Sequence, residues 1–117
     1  IRQNAGRNET VSALHYLKAD VFKAQENPAA AEEELNRAIA ADENYLPAYT
    51  ALASLLVGRN QIDAAVAQYK KLLQKKPSSP VFTLLGMLEE SRNNPAAAEE
   101  NYRRALEIAP DAAIAAN

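Results

Sequence analysis

The sequence contains no cysteine and no tryptophan, and only one histidine, one methionine and three glycines in 117 residues. Without cysteine there is no disulfide scaffold, no Cys-based zinc site and no cysteine nucleophile. The lone imidazole, His15, has no second one to help seed a common zinc site. Gly6, Gly58 and Gly86 lie too far apart for a glycine-rich phosphate loop. Charge of one sign is also scarce. Thirteen Lys and Arg oppose fifteen Asp and Glu, giving a net charge of −2, so no global field recruits nucleic acid or an anionic membrane. No apolar run approaches the roughly 20 residues of a transmembrane helix. No signal peptide is legible, and the chain begins at Ile1, so it reads as part of a longer protein. These features suit a soluble chain and leave cytoplasmic and periplasmic locations equally open.

What is abundant is alanine and leucine: 25 Ala and 13 Leu, about a third of the chain. So much Ala with few β-branched residues argues for helix and against a β-sandwich or barrel. The length suits one domain, and a chain of this size buries roughly two thirds of its unfolded surface.

The sequence also matches itself. Shifted by 33 residues, Pro47 falls on Pro80, Tyr49 on Phe82, Leu52 on Leu85, Ala53 on Gly86, Tyr69 on Tyr102 and Pro77 on Pro110. Shifted by 67, the run from Asn27 to Glu33 falls on the identical run from Asn94 to Glu100, with Arg37 and Ala38 on Arg104 and Ala105. The longer shift is one 34-residue and one 33-residue step, so three repeats are expected: 12–45, 46–78 and 79–112. Residues 1–11 read as a polar leading segment, either disordered or the tail of an earlier repeat. Residues 113–117 read as the start of a fourth or capping helix, with Asp111 as its cap; its uncharged Ala-rich face implies that the natural protein continues.

Each repeat divides into two helices. In the third, Ser78 or Ser79 caps a helix with Pro80 in its first turn, and Phe82, Leu85, Gly86 and Leu88 or Glu89 follow at helical spacing. Asn93-Asn94-Pro95 ends that helix and starts the next, whose apolar face is Ala98, Tyr102, Ala105 and Leu106. In the second repeat Asn44 and Asn60 are the expected caps, Gly58 ends the first helix, and Ala65, Tyr69, Leu72 and Leu73 form the apolar face of the second. The first repeat carries helices over about Ser12–Lys23 and Pro28–Ala41. Connections of two to five residues impose antiparallel neighbours.

This arrangement resembles the tetratricopeptide repeat (TPR) family, whose pattern is W-x2-L-G-x2-Y, then A-x3-F, then P. The third repeat reads Phe82-x2-Leu85-Gly86-x2-Glu89, then Ala98-x3-Tyr102 and Pro110. The second reads Tyr49-x2-Leu52-Ala53-x2-Leu56, then Ala65-x3-Tyr69 and Pro77. The first keeps Ala19-x2-Phe22 and Ala31-x3-Leu35, but has His15 in place of the large aromatic, Lys18 in place of Leu and Glu43 in place of the closing Pro. The resemblance implies an all-α fold, an α-solenoid of antiparallel helix pairs wound as a right-handed superhelix. Ala19, Ala53 and Gly86, and Ala31, Ala65 and Ala98, would then be the points of close helix approach.

Little else in the sequence suggests chemistry. His15 reads as a surface or inter-helix residue. Glu32-Glu33-Glu34 and Glu99-Glu100 read as solvated helix starts favoured by the macrodipole. Lys70, Lys71, Lys75 and Lys76 fall in the last turns of a helix and lack the interleaved aromatics of a nucleic-acid site. Met87 lines a groove or fills a gap. No enzyme, cofactor or metal is expected.

The resemblance does imply a binding face. In TPR proteins the first helices line a concave groove that takes a partner's peptide or helix. Here the groove residues would be Tyr16, Asp20 and Lys23; Thr50, Ser54 and Val57; and Thr83, Met87 and Glu90. Family members that clamp acidic chaperone C-termini present Lys, Asn and Arg at these sites, so that clamp is not expected here. The mildly polar groove suits an extended segment or an amphipathic helix, which makes the expected partner a protein or peptide, with no nucleic acid and no membrane insertion. The alternative is a structural spacer, or self-association as a homo-oligomer through the repeat ends.

Overall fold

A computed structural model describes the backbone of residues 2–109 and the side chains of residues 6–109. The described residues form six helices: α1 (Arg2–Ala24), α2 (Pro28–Ala41), α3 (Leu46–Gly58), α4 (Ile62–Lys75), α5 (Ser79–Ser91) and α6 (Pro95–Ile108). They fall into two compact units, divided at Leu55 and Leu56. The fold class is the expected all-α helical repeat.

In the N-terminal unit α1 packs on α2. The helices meet through small residues: Ala19 on α1 and Ala31 and Ala38 on α2 are buried, with Leu35 between them. Ser12, fully buried, donates its hydroxyl to the Ala38 carbonyl at 2.6 Å. In the C-terminal unit α5 packs on both α4 and α6. Val81, Leu84, Leu85, Leu88, Ala98 and Ala105 are buried there. Ser79, the counterpart of Ser12 in the 67-residue register, donates to the carbonyl of Ala105, the counterpart of Ala38, at 3.0 Å. The self-match of the sequence is thus also a match of hydrogen bonds.

Three turns repeat as well. Glu26, Asn60 and Asn93 are the only described non-glycine residues with positive φ, at 57°, 58° and 61°. At each, the residue's own N–H bonds the carbonyl three residues back, and the next N–H bonds the carbonyl five back: Asn27 to Phe22, Gln61 to Leu56 and Asn94 to Glu89, at 2.9–3.0 Å. This is the Schellman closure of a helix C-terminus. The next residue then starts the following helix. Asn27 accepts from the Ala30 N–H at 3.4 Å, and Pro28 occupies the first turn, where a missing donor costs nothing.

Several expectations change. Asn60 is not the cap of α4; Gln61 is, and Asn60 is the left-handed residue, a role asparagine tolerates better than most. Asn44 does not cap α3. It sits in a turn in which Asp42 Oδ1 accepts its N–H at 3.0 Å, and the helix starts at Leu46. Helix α1 runs unbroken from Arg2 instead of beginning near Ser12, so the polar leading residues are helical. Leu72 and Leu106, assigned to apolar faces, are nearly half exposed. Ser78 does cap α5, accepting from the Val81 N–H at 3.4 Å, and Gly58 is the last residue of α3. The expected capping helix at 113–117, with Asp111, lies outside the described residues.

Candidate peptide-binding face

Helix α1 presents Tyr16, Asp20 and Lys23 at i, i+4 and i+7, one helical face. Helix α3 presents Thr50 and Ser54 at i and i+4. These five residues line one open cleft of about 490 Å3, with Leu46, Pro47 and Ala51 completing its wall. The Tyr16 ring meets the Tyr45 ring edge-on, with centroids 6.0 Å apart and planes at 69°. That contact anchors one side of the cleft, and burial pushes the Tyr45 hydroxyl above its usual range, with Tyr16 and Glu9 adding to the shift. Thr50 Oγ1 donates to the Leu46 carbonyl at 3.4 Å, which leaves its oxygen free to accept a further hydrogen bond. The cleft is therefore lined by Tyr16 and exposed Leu46 as apolar anchors, by the hydroxyls of Thr50 and Ser54, and by one acid and one base, Asp20 and Lys23.

Thr83, Met87 and Glu90 occupy the equivalent face of α5 in the C-terminal unit and do not line that cleft. Thr83 Oγ1 donates to the Ser79 carbonyl at 3.0 Å. Glu90 accepts from the Tyr102 hydroxyl at 2.5 Å. Burial, reinforced by Glu90, raises the Tyr102 hydroxyl well above its usual range, so it stays a donor. Val57 is exposed near the end of α3.

The expectation that Glu32-Glu33-Glu34 is a solvated helix start fails at Glu34, which is buried. His15 Nδ1 lies 3.2 Å from its Oε2, and Arg37 Nη1 donates to its Oε1 at 2.7 Å. Arg37 Nη2 also holds exposed Glu33 at 2.6 Å. Burial alone would raise the Glu34 carboxyl, but hydrogen bonds and charge from Arg37 and His15 outweigh it and hold the group below the usual carboxylate range. The signal was the spacing: Glu34 stands between Ala31 and Ala38 on the core face of α2. A second buried carboxylate, Glu89, is held by Arg92 Nη1 at 2.9 Å, and Arg92 Nε reaches exposed Asp63 at 3.2 Å. His15, expected at the surface or between helices, lies between α1 and α2 against Glu34.

A second cleft, of about 510 Å3, was not foreseen. In the C-terminal unit Phe82 and Leu85 of α5 lie between Lys70, Leu73 and Gln74 of α4 and Ala97, Asn101 and Arg104 of α6. Among the described residues no cluster of side chains is suited to hold a metal ion, and no helix is long and apolar enough to cross a membrane.

Paired helices, three equivalent left-handed closures and a 33–34-residue period define a helical-repeat protein. Family models described as tetratricopeptide repeat match residues 22–88 and 79–112. The chain belongs to the tetratricopeptide repeat family. Repeats of this family are in general non-catalytic scaffolds that mediate contacts between proteins. Among curated proteins none shows a significant match to the chain.

Proposed function

We propose that this chain is a non-catalytic adaptor segment that binds a partner's peptide or helix on the first helices of its repeats. The partner would contact Tyr16, Asp20, Lys23, Thr50 and Ser54 in the N-terminal unit, and Thr83, Met87 and Glu90 are the candidate contacts on the equivalent face of α5 in the C-terminal unit. The observation that supports this reading is the cleft itself: five residues from two helices, each with a short or polar tip, line one cavity beside an exposed leucine. Such a surface suits a segment with one or two apolar anchors and several side-chain hydrogen bonds. The pair Asp20 and Lys23 favours a ligand of mixed charge over a uniformly acidic one.

Selection of binders from a displayed random-peptide library tests the reading. Enriched peptides should carry an aromatic or leucine anchor. Their affinity, titrated by calorimetry, should fall at least tenfold in Tyr16→Ala/Met87→Ala and in Ser54→Arg, which fills the cleft. Selected peptides whose affinity is the same in both variants would refute the assignment.

A further inference from the structure

The cleft between α4 and α6 contains a charged group that the proposed binding face does not use. Helix α5 packs on both α4 and α6, while those two stand apart, so the gap is internal to the C-terminal unit and has a helix of the chain on either side. Helix α5 contributes Phe82, Leu85 and Glu89 to it. Phe82 and Glu89 lie two turns apart, about 10 Å along the helix. Glu89 stands where the family pattern has tyrosine and where the second repeat has buried Leu56. It fills less of that space than a tyrosine would. It is also a charge whose side chain is only 3% exposed.

The two buried carboxylates differ in how they are held. Glu34 has both oxygens engaged, one by His15 and one by Arg37. Glu89 has only Oε1 engaged, by Arg92, and Arg92 is shared with Asp63. No hydrogen bond among the described residues reaches Oε2 of Glu89. Yet no fully enclosed side-chain oxygen among these residues lacks a partner, so Oε2 keeps a contact with solvent, and the opening that Glu89 lines is this cleft. A half-held, buried carboxylate is complementary to a further donor that carries positive charge. The walls add two side-chain amides, Gln74 on α4 and Asn101 on α6. Asn101 Nδ2 donates to the Ala97 carbonyl at 2.9 Å, which leaves its Oδ1 free to accept. Amides on both sides match the N–H and C=O groups of an extended backbone, which a free small cation lacks. An anion is disfavoured: Glu100 engages Arg104 at 2.9 Å, which leaves exposed Lys70 as the lining cation with no acid partner among the described residues.

We infer that the cleft between α4 and α6 is a second peptide site, which takes an extended partner segment of the form apolar-x-arginine. In an extended chain residues i and i+2 point the same way, about 7 Å apart. An apolar side chain against Phe82 therefore brings the arginine two residues on within reach of Glu89, along the same stretch of α5. The probes are acetyl-Leu-Ser-Arg-amide and acetyl-Leu-Ser-Glu-amide, titrated into the whole chain and followed by NMR shifts. The arginine peptide should shift the side-chain amides of Gln74 and Asn101 saturably, and the glutamate peptide should bind at least tenfold more weakly. Glu89→Gln removes the charge and should weaken the arginine peptide at least tenfold. Glu89→Leu, which installs the residue of the second repeat, should do the same, and it keeps the test sound if the glutamine variant unfolds. Tyr16→Ala/Met87→Ala should leave this binding unchanged, which separates the site from the face proposed above. The inference is overturned if no saturable shift occurs, if affinity is indifferent to Glu89, or if the glutamate peptide binds as tightly. It is equally overturned if n-butylguanidine, which has no peptide backbone, binds as tightly as the arginine peptide, since a free cation would then be the ligand.

Discussion

A single methyl group at position 86 tests how the helices of the C-terminal unit meet. Gly86 has an ordinary helical φ, so its value lies in space and not in backbone freedom. A Cβ built there would stand 2.6 and 2.7 Å from Cδ1 and Cζ of Tyr102, far inside contact distance. The ring is only partly exposed and its hydroxyl donates to Glu90, so moving it away disturbs both its packing and that bond. Overpacking of this kind costs about 1–3 kcal/mol. Replacing glycine by alanine inside a helix returns about 0.5–1 kcal/mol. Gly86→Ala should therefore destabilise by about 1 kcal/mol net. The chain contains its own control: the equivalent pair in the N-terminal unit is Ala19 with Leu35, both buried. In a Tyr102→Leu background the clash disappears, and Gly86→Ala should stabilise by about 0.5–1 kcal/mol. The double-mutant cycle then yields a coupling of about 2 kcal/mol. Urea unfolding followed by far-UV circular dichroism measures all four corners. If Gly86→Ala is equally stabilising with and without Tyr102, the close-approach account of this position is wrong.

Two further outcomes follow from the turns and the buried carboxylate. Glu26 holds the left-handed position that asparagine holds at 60 and 93, and a side chain there costs about 1–2 kcal/mol relative to glycine. Glu26→Gly should raise stability by about 0.5–1 kcal/mol after the added freedom of the unfolded chain is counted, and a lowered urea midpoint would contradict this. Glu34 has its folded pKa depressed below the unfolded value of 4.5, so its contribution is present above that pH and is lost as pH falls through the folded value. Glu34→Gln should lower the urea midpoint at pH 7, and the gap from wild type should close progressively below pH 4.5; a gap independent of pH would show that charge plays no part.

Much of this fold was legible in local pattern. The self-match at 33 and 67 residues, the Asn-Pro starts of α2 and α6 and the Ser78 cap all depend on neighbours within a few residues, which is the range over which caps and helix periods act. The cleft residues were legible for a related reason. Once the register is known, i, i+4 and i+7 positions of a helix share a face whatever that face meets. The misplacements have a common cause. Asn60 has two good roles one residue apart, as left-handed closure or as cap, and choosing between them requires knowing where the preceding helix runs out of partners. Asn44 was taken for a cap because its type fits, but the Asp42 side chain claims its N–H.

The amino-acid sequence determined the period, the number and pairing of helices and the family, because these follow from apolar spacing and from residues whose backbone preferences act locally. The tertiary structure decided which partners the buried charges meet. The spacing of Ala31, Glu34 and Ala38 marks the third glutamate as core-facing, but that it meets His15 across the helix pair depends on how α2 is rotated about its axis against α1. It also decided which leucines are covered. Leu17 and Leu84 are the same residue type at the same repeat position, yet Leu17 is exposed on α1 while Leu84 is buried on α5, the helix that packs on both α4 and α6.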